Sequence, residues 1–422
     1  MSQNRKRRSV QLTSAGIRVI EDQMNRANLH EKDVAMAAEL EVTTIRRLLK
    51  QDPVDRTSAI AIAKALNLSL ADIVDDETPV VEQAGASLED PFYVERASLE
   101  AQCRAALTKP GALLRIRAPQ KMGKTSLMVR ILSQMRKQPQ PYQTAILSFE
   151  LADQAAFTNL KNFSRWFCAA VSAVLAMDNQ LEHYWEDILA CNFNTTNYFQ
   201  KYLLSKVATP LVLALDNTDL VFEHAAIAND FCRLLRTWHD QARRGDPNSR
   251  IWQKLRLVIV HATEVYGPLD INASPLAGVG MVIDLPEFDT EQALTLARQY
   301  GLNWTTAEIA KLMNIVGGHC FLLQQAFEAI RYRDLSVTQV THEAATESGI
   351  YRNHLRHLAN ILEQSPELME MFKQVVMAEH NIYLKSAPAF KLHGMGLVTI
   401  EGNKVKPRCY LYREYFRNYF RT

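Results

Sequence analysis

Hydrophobic residues recur at helical spacing over the first 78 residues of the chain. The spacing predicts four helices and a short fifth one, over residues 15–27, 31–40, 43–50, 56–66 and 70–74. Thr57 and Ser69 stand near predicted helix starts, where their hydroxyls can cap free backbone N–H groups. We therefore predict an all-α unit over residues 1–78, followed by an acidic, proline-bearing linker over residues 79–90.

Between residues 91 and 285 the pattern changes to short apolar runs separated by helical stretches. The runs cover residues 113–116, 144–149, 211–215 and 255–261, and they are rich in branched side chains. Buried strands that alternate with helices form parallel sheets that are covered on both faces. The pattern thus predicts an α/β domain over residues 91–285.

The last third of the chain returns to helical spacing. Three helical patterns fill residues 287–335, and Gly317 and Gly318 separate the last two. Two or three further helices then precede two short strand-like runs on either side of a turn at Gly402. Helices followed by a hairpin are typical of a winged helix. We predict a helical lid over residues 286–340 and a winged helix over residues 341–422.

Length and composition are those of an ordinary globular protein. The 422 residues correspond to two to four domains, and 47% hydrophobic and 22% charged residues supply enough apolar material for several cores. No apolar run reaches the ~18 residues that a membrane-spanning helix needs. The six cysteines are scattered, without metal-ligand spacing. These features predict a cytoplasmic protein with reduced thiols and no membrane partner.

Net charge alone says little about partners, because 48 Lys and Arg nearly balance 46 Asp and Glu. The charges are unevenly distributed, however. A basic run covers residues 5–8, and residues 404–421 are again basic and interleaved with aromatic side chains. Such segments indicate either a solvated surface or contact with nucleic acid, and both interpretations stay open.

A strand–loop–helix pattern at residues 114–136 carries a candidate phosphate-binding loop. The loop reads Ala118-Pro119-Gln120-Lys121-Met122-Gly123-Lys124-Thr125. It matches the pattern of Gly, four residues, then Gly-Lys-Ser/Thr, except that Ala118 replaces the first Gly. Gly123 lets backbone N–H groups close around phosphate oxygens at a helix N-terminus. Lys124 offers a charge to the phosphates and Thr125 a hydroxyl to magnesium, so the loop predicts binding of ATP with Mg²⁺.

A second motif follows the apolar run at residues 211–215. Asp216 ends this predicted strand, and sheets of this class present such a carboxylate to magnesium. Asn217 comes next, where hydrolytic members of the class usually carry a carboxylate that polarises the attacking water. An amide can orient water but cannot accept its proton. We therefore expect slow hydrolysis or none and assign no catalytic residue, although Asp219 is an alternative base.

These residues resemble the cyanobacterial AAA-like domain family of STAND-type signalling ATPases, over nearly all of the chain from residue 91 to 421. The matching motifs lie at residues 91–96, 117–127, 213–219, 254–266, 285–288, 316–319 and 406–417. The resemblance implies an α/β fold in which a P-loop NTPase parallel sheet carries a helical lid and a C-terminal winged helix.

The resemblance also implies roles for single residues. Arg96 matches the segment that lines the adenine pocket, and Ser126 extends the phosphate-loop motif. His319 matches the lid motif that contacts the nucleotide. His261 and Thr263 match sensor residues near the γ-phosphate, although His261 can equally be a polar residue that merely ends a strand.

The chain departs from the family pattern at three positions. Asn217 stands where the family usually has Glu, which puts hydrolysis in doubt. Cys320 stands where it usually has Pro, and no arginine follows Thr263. The last two departures put nucleotide sensing in doubt.

The N-terminal unit resembles the helix-turn-helix domain found upstream of such ATPases in bacterial conflict systems with von Willebrand-type and MoxR-type modules. The apolar residues Ala35, Leu40, Ile45 and Leu48 match positions that pack two helices across a tight turn. Glu39 and Glu41 replace the usual Gly of the turn and the usual Ser cap. A non-Gly residue in a left-handed turn costs roughly 1 kcal/mol, which a packed domain tolerates.

For contact with DNA, the third predicted helix offers a set of polar and basic side chains: Thr43, Thr44, Arg46, Arg47 and Lys50. The basic tail can follow the backbone or the minor groove. Glu41 would repel phosphate, however, and a helix-turn-helix can equally dock a protein.

The sequence thus predicts a nucleotide-controlled signalling switch of a bacterial conflict or regulatory system, which couples ATP binding to DNA or a partner protein. One alternative is a DNA-binding transcriptional regulator with a degenerate scaffold ATPase domain. Another is an AAA-type regulator that assembles on DNA as a nucleotide-dependent homo-oligomer.

Overall fold

The computed structural model divides the chain into two compact units, Met1–Ala84 and Gly85–Thr422. The described residues are 9, 10, 17, 20, 23, 24, 29–38, 40, 42–49, 54, 55, 61, 62, 65 and 66 in the first unit, and 92–262, 274–333 and 335–421 in the second.

Two helices and a short strand pair are described in the first unit. In chain order they are β1 (Ser9–Val10), α1 (Glu31–Ala37), α2 (Val42–Leu49) and β2 (Val54–Asp55). The helices coincide with two predicted segments, and Ala35 and Ile45 are buried between them with Val34. The expectation of an all-α unit is wrong in one respect, because β1 and β2 pair antiparallel. Two-residue strands are too short to leave a hydrophobic period in the sequence.

The second unit is built on a five-stranded parallel sheet. Its strands are β3 (Leu113–Arg117), β4 (Gln143–Ser148), β5 (Leu211–Asp216), β6 (Leu255–His261) and β7 (Met281–Asp284), in the order β4-β5-β6-β3-β7. Every strand runs parallel to its neighbours, so the predicted parallel sheet is confirmed. The four predicted runs became β3 to β6. β7 was not predicted, because its apolar run covers only the three residues 281–283, of which Ile283 alone is fully buried.

Helices cover both faces of this sheet. They are α3 (Ala97–Leu107), α4 (Lys124–Arg136), α5 (Leu160–Val174), α6 (Leu181–Tyr184), α7 (Cys191–Tyr198), α8 (Leu204–Lys206), α9 (Asp219–Phe222), α10 (Ala225–Gln241) and α11 (Ser249–Trp252). Because side chains alternate along a strand, β5 sends Val212 and Ala214 toward α4 and Leu213 and Leu215 toward the opposite face. The apolar run of β5 is uninterrupted because both faces of this strand are buried.

The remaining elements follow the sheet in the chain. They are α12 (Thr290–Gln299), α13 (Thr306–Val316), α14 (Cys320–Arg333), α15 (Val337–His342), α16 (Arg352–Glu363), α17 (Pro366–Met377), β8 (Ile382–Tyr383), α18 (Ser386–Gly394), β9 (Val398–Glu401), β10 (Lys404–Pro407) and α19 (Tyr410–Tyr419). β8, β10 and β9 form an antiparallel sheet, and Gly402 makes the predicted turn between β9 and β10 with φ +60°.

One hydrophobic core unites these elements. Leu312 and Phe327, from the segment predicted as a lid, are buried in the same cluster as Leu355 and Leu411, from the segment predicted as a winged helix. The two predicted segments therefore pack as one body. In the described part of the chain, no helix is long and apolar enough to cross a membrane.

Candidate nucleotide-binding site

The loop between β3 and α4 has the backbone of a phosphate-binding loop. Gly123 caps α4 in a left-handed conformation with φ +86°. This conformation favours glycine and turns the following N–H groups toward the loop. Lys121 also has a positive φ, whereas Ala118 does not. The alanine in place of the first Gly therefore carries no backbone strain.

Lys124 is held inside this loop. Its Nζ donates to the carbonyl oxygens of Ala118 at 3.0 Å and Pro119 at 2.9 Å. Burial lowers the pKa of Lys124, and the nearby carboxylates of Asp219 and Asp216 oppose this shift. A partly buried ammonium whose hydrogen-bond partners are neutral carbonyls gains when an anionic phosphate replaces them. Ser126 follows in the first turn of α4.

Thr125 and Asp216 meet where β5 ends beside α4. The Thr125 hydroxyl donates to Oδ2 of Asp216 at 2.9 Å, and Oδ1 accepts the backbone N–H of Asn217 at 3.0 Å. Burial raises the pKa of Asp216, and the hydrogen bond from Thr125 opposes this shift. Mg²⁺ in phosphate sites takes few protein ligands and completes its octahedron with phosphate oxygens and water. The hydroxyl oxygen of Thr125 and the carboxylate of Asp216 fit that role.

Asn217 and Asp219 in this turn have different hydrogen-bond partners. Asn217 is left-handed, with φ +53°, and its Nδ2 donates to Oγ of Ser148 at 3.2 Å. Asp219 accepts the backbone N–H of Ala262 at 2.6 Å, which fixes its carboxylate between the ends of β5 and β6. Burial raises the pKa of Asp219, although the bond from Ala262 and the charge of Lys124 oppose this shift. The structure thus brings Asp219 near Lys124.

Of the two predicted sensor residues, His261 is among the described residues. His261 ends β6 and is completely buried. Its Nδ1 is hydrogen-bonded to the carbonyl oxygen of Ala262 at 2.5 Å. Its Nε2 has no hydrogen-bond partner. Burial lowers the pKa of His261 to about 3, so the ring is neutral at physiological pH. Thr263 lies outside the described residues.

Arg96 lies against the segment that follows β7 rather than in an open pocket. Its guanidinium donates to the carbonyl of Pro286 at 2.6 Å and lies 4.6 Å from the ring centre of Phe288. Only 8% of the residue is exposed. Its backbone N–H donates to Glu100, which fixes the start of α3. A role of Arg96 toward adenine stays a prediction.

His319 and Cys320 mark the start of α14, beside the loop. His319 is buried 6.1 Å from the ring of His354, and its Nδ1 has no hydrogen-bond partner. Burial, together with His354 and Arg408, holds the pKa of His319 well below its ordinary value. The Cys320 thiol donates to the carbonyl of Lys121 at 3.3 Å. The departure from Pro at position 320 thus adds a direct contact with the phosphate loop.

The predicted DNA-binding residues lie in the other unit. α2 carries Thr43, Thr44, Arg46 and Arg47, whereas Lys50 lies outside the described residues. Arg46 and Arg47 are both exposed. Nε of Arg46 is 2.8 Å from Oε2 of Glu31 on α1. An acidic partner for Arg46 was not predicted from the sequence.

Two residues of the resemblance motifs received no role from the sequence. Glu287 and Arg408 are 121 residues apart in the chain, yet their side chains form an ion pair at 2.7 Å. The only sequence signal for them was their position in the motifs at residues 285–288 and 406–417. Pairing over such a separation leaves no periodic pattern.

A parallel sheet that bears a Gly-Lys-Thr loop after one strand and an aspartate at the end of another strand, with one strand between the two, is typical of the P-loop NTPase fold. The chain belongs to the AAA-like domain family, whose model matches residues 81–418. No curated protein matches the sequence.

Three solved structures illustrate the likeness. The Walker-type ATPase paby2304 of Pyrococcus abyssi is 14% identical over 80% of this chain and 99% of its own, with a TM-score of 0.57. The STAND protein PH0952 of Pyrococcus horikoshii, which has a tetratricopeptide repeat sensor, is 16% identical over 78% of this chain and 42% of its own, with a TM-score of 0.36. The ORC2 protein of Aeropyrum pernix in its ADP form is 13% identical over 75% and 90%, with a TM-score of 0.41. At 14% identity, the likeness to the Walker-type ATPase concerns the fold alone.

Proposed function

We propose that this protein is a nucleotide-controlled switch that binds ATP with Mg²⁺ at residues 118–126. The observation that carries the proposal is the partly buried ammonium of Lys124, held by two loop carbonyls beside the Thr125–Asp216 pair. Lys124 would leave these carbonyls for the phosphates, while Thr125 and Asp216 would hold the magnesium. Bound magnesium would neutralise phosphate charge and fix the phosphate oxygens in place.

The switch is expected to bind ATP better than it hydrolyses it. The amide of Asn217 is committed to Ser148 and cannot accept a proton from water. Asp219 is the alternative base, but one of its two carboxylate oxygens, Oδ1, already accepts a short hydrogen bond from Ala262. The absence of a positioned base typically costs about 10²–10⁴-fold in rate, so the ATP-bound state would be long-lived.

The output of the switch would be contact with DNA or a partner protein through the N-terminal unit, in a bacterial conflict or regulatory system. Exposed Arg46 and Arg47 on α2 support this part of the proposal. A helix-turn-helix, a winged helix and a cytoplasmic location belong to the same proposal. Two alternatives remain, a regulator whose ATPase domain is a scaffold and an AAA-type regulator that assembles on DNA.

Calorimetric titration of the full chain with ATP and Mg²⁺ tests the central claim. Lys124→Ala should weaken binding at least about 100-fold, since two charge-assisted contacts to phosphate are lost. Lys137→Ala is the matched control, because it removes the same charge at the other end of α4. The control should bind like the wild type.

Equal affinity of wild type and Lys124→Ala would contradict the proposal. Absence of ATP binding by the wild-type chain would favour the scaffold alternative. An increase in mass by light scattering, seen only with ATP and DNA together, would favour the assembling regulator.

A further inference from the structure

Three residues that follow β7 connect distant parts of the second unit. We call Pro286, Glu287 and Phe288 the joint. Arg96 binds it from the N-terminal side, through a hydrogen bond to the carbonyl of Pro286 and through the ring of Phe288. A cation over an aromatic face in a buried place is a stable contact. The joint is thus fixed to the chain that leads into α3.

Gly318 attaches the joint to the start of α14. Its N–H donates to Oε2 of Glu287 at 3.0 Å, and its carbonyl accepts the N–H of Phe288 at 2.8 Å. A Cβ at position 318 would lie 2.1 Å from the carbonyl oxygen of Phe288. Only glycine fits such a close approach of two backbones. The first turn of α14 therefore has its position set by the joint.

Arg408 attaches the joint to the C-terminal elements, and its backbone N–H donates to the carbonyl of Leu397, next to Gly396, at 2.9 Å. One guanidinium nitrogen donates to Oε1 of Glu287, so the two oxygens of one carboxylate bind two different parts of the chain. The Arg408 side chain is 7% exposed, and its Nε is buried without a hydrogen-bond partner. A cation this deeply buried depends on the single carboxylate that it contacts.

The two attached parts both touch the phosphate loop. At the start of α14, the Cys320 thiol donates to the carbonyl of Lys121, whose ammonium lies 4.4 Å from the ring centre of Phe321. After α18, Gly396 packs on Pro119 so closely that a Cβ would be 3.0 Å from the Cβ of Pro119. The loop is therefore covered from two directions, and the cover depends on the joint.

We propose that Glu287 and Arg408 are positioning residues for the phosphate loop: their ion pair holds the start of α14 and the segment after α18 against it. The pair thereby controls how fast a nucleotide enters and leaves. This inference rests on the proposed function only where nucleotide is concerned. The covering contacts themselves are a property of the nucleotide-free chain.

Hydrogen–deuterium exchange of the nucleotide-free full chain is the first test. Glu287→Gln keeps an oxygen for Gly318 but loses the charge that Arg408 needs. Exchange should rise about tenfold or more in peptides from residues 118–125, 317–322 and 394–398, as expected when a partly buried charge pair is broken. Peptides from α10 should not change. Glu347→Gln is the matched control, because it removes the carboxylate of the exposed pair with Arg356.

Release of a fluorescent ATP analogue, measured by stopped flow, is the second test. Glu287→Gln and Arg408→Met should each speed release about tenfold or more, and the double variant should be no faster than either, because one interaction is lost in all three. Arg408→Lys keeps the charge and should fall between Arg408→Met and the wild type. A purely structural defect would not be rescued in this order.

Unchanged exchange at the loop in a folded Glu287→Gln protein would overturn the inference. Additive effects of the two substitutions on release would overturn it as well. Failure of the wild type to bind any nucleotide, with raised exchange in Glu287→Gln, would instead contradict the proposed function and leave the positioning role of the pair intact.

Discussion

At the scale of single residues, Asn217 shows what a sequence can and cannot tell. The residue type alone indicated that a base is missing, because an amide cannot accept a proton from water. Its left-handed backbone and its bond to Ser148 depend on how β4 and β5 lie side by side, and no local pattern records that. The same holds for Asp219, whose partner at Ala262 is 43 residues away in the chain.

Substitution at position 217 should restore hydrolysis. Asn217→Asp introduces a carboxylate in a residue that tolerates the left-handed region, whereas Asn217→Glu bears roughly 1 kcal/mol of backbone strain. Both should raise ATP turnover by about tenfold or more, and the Asp variant needs less adjustment. A phosphate-release assay measures this. Brisk wild-type turnover that Asp219→Asn abolishes would contradict the prediction and make Asp219 the base.

At the scale of elements, the sequence predicted what strong local patterns specify. The helices α12, α13 and α15 are preceded by Asp289, Thr305 and Ser336, and each of these side chains caps its helix in a capping box. The apolar runs of β5 and β6 were equally clear. β7 and the pair β1–β2 were missed, because their stability comes from neighbours rather than from their own residues.

The ion pair between α1 and α2 makes a prediction about DNA. Glu31 competes with phosphate for Arg46, so Glu31→Gln should strengthen binding to duplex DNA by about three- to fivefold, equivalent to the energy of an exposed pair. Arg46→Ala with Arg47→Ala should nearly abolish binding, and binding should weaken steeply with salt. Fluorescence anisotropy measures these affinities, with exposed Glu367→Gln as the control. DNA affinity that stays the same after these substitutions and at higher salt would favour docking of a protein.

At the scale of the whole molecule, the sequence pattern changes near residue 340, where a boundary was predicted. The hydrophobic core continues across that position. Leu312 and Phe327 share their core with Leu355 and Leu411. A variant that ends after residue 340 should therefore bind a hydrophobic dye and aggregate. A variant that begins at Gly85 should keep the ATP affinity of the full chain, since the whole candidate site lies in that unit. A 340-residue variant that stays soluble and unfolds cooperatively would contradict this prediction.

The order of the strands also bears on how the protein is made on the ribosome. β3, which leads into the phosphate loop, pairs with β6 on one side and β7 on the other, and both are synthesised long after it. At roughly 5–20 residues per second, the interval between Arg117 and Asp284 lasts on the order of ten seconds. During that time the nascent β3 has open edges, which are the part of a sheet most prone to wrong pairing. Under the proposed function, ATP would therefore stabilise the growing chain only after β6 and β7 have paired with β3.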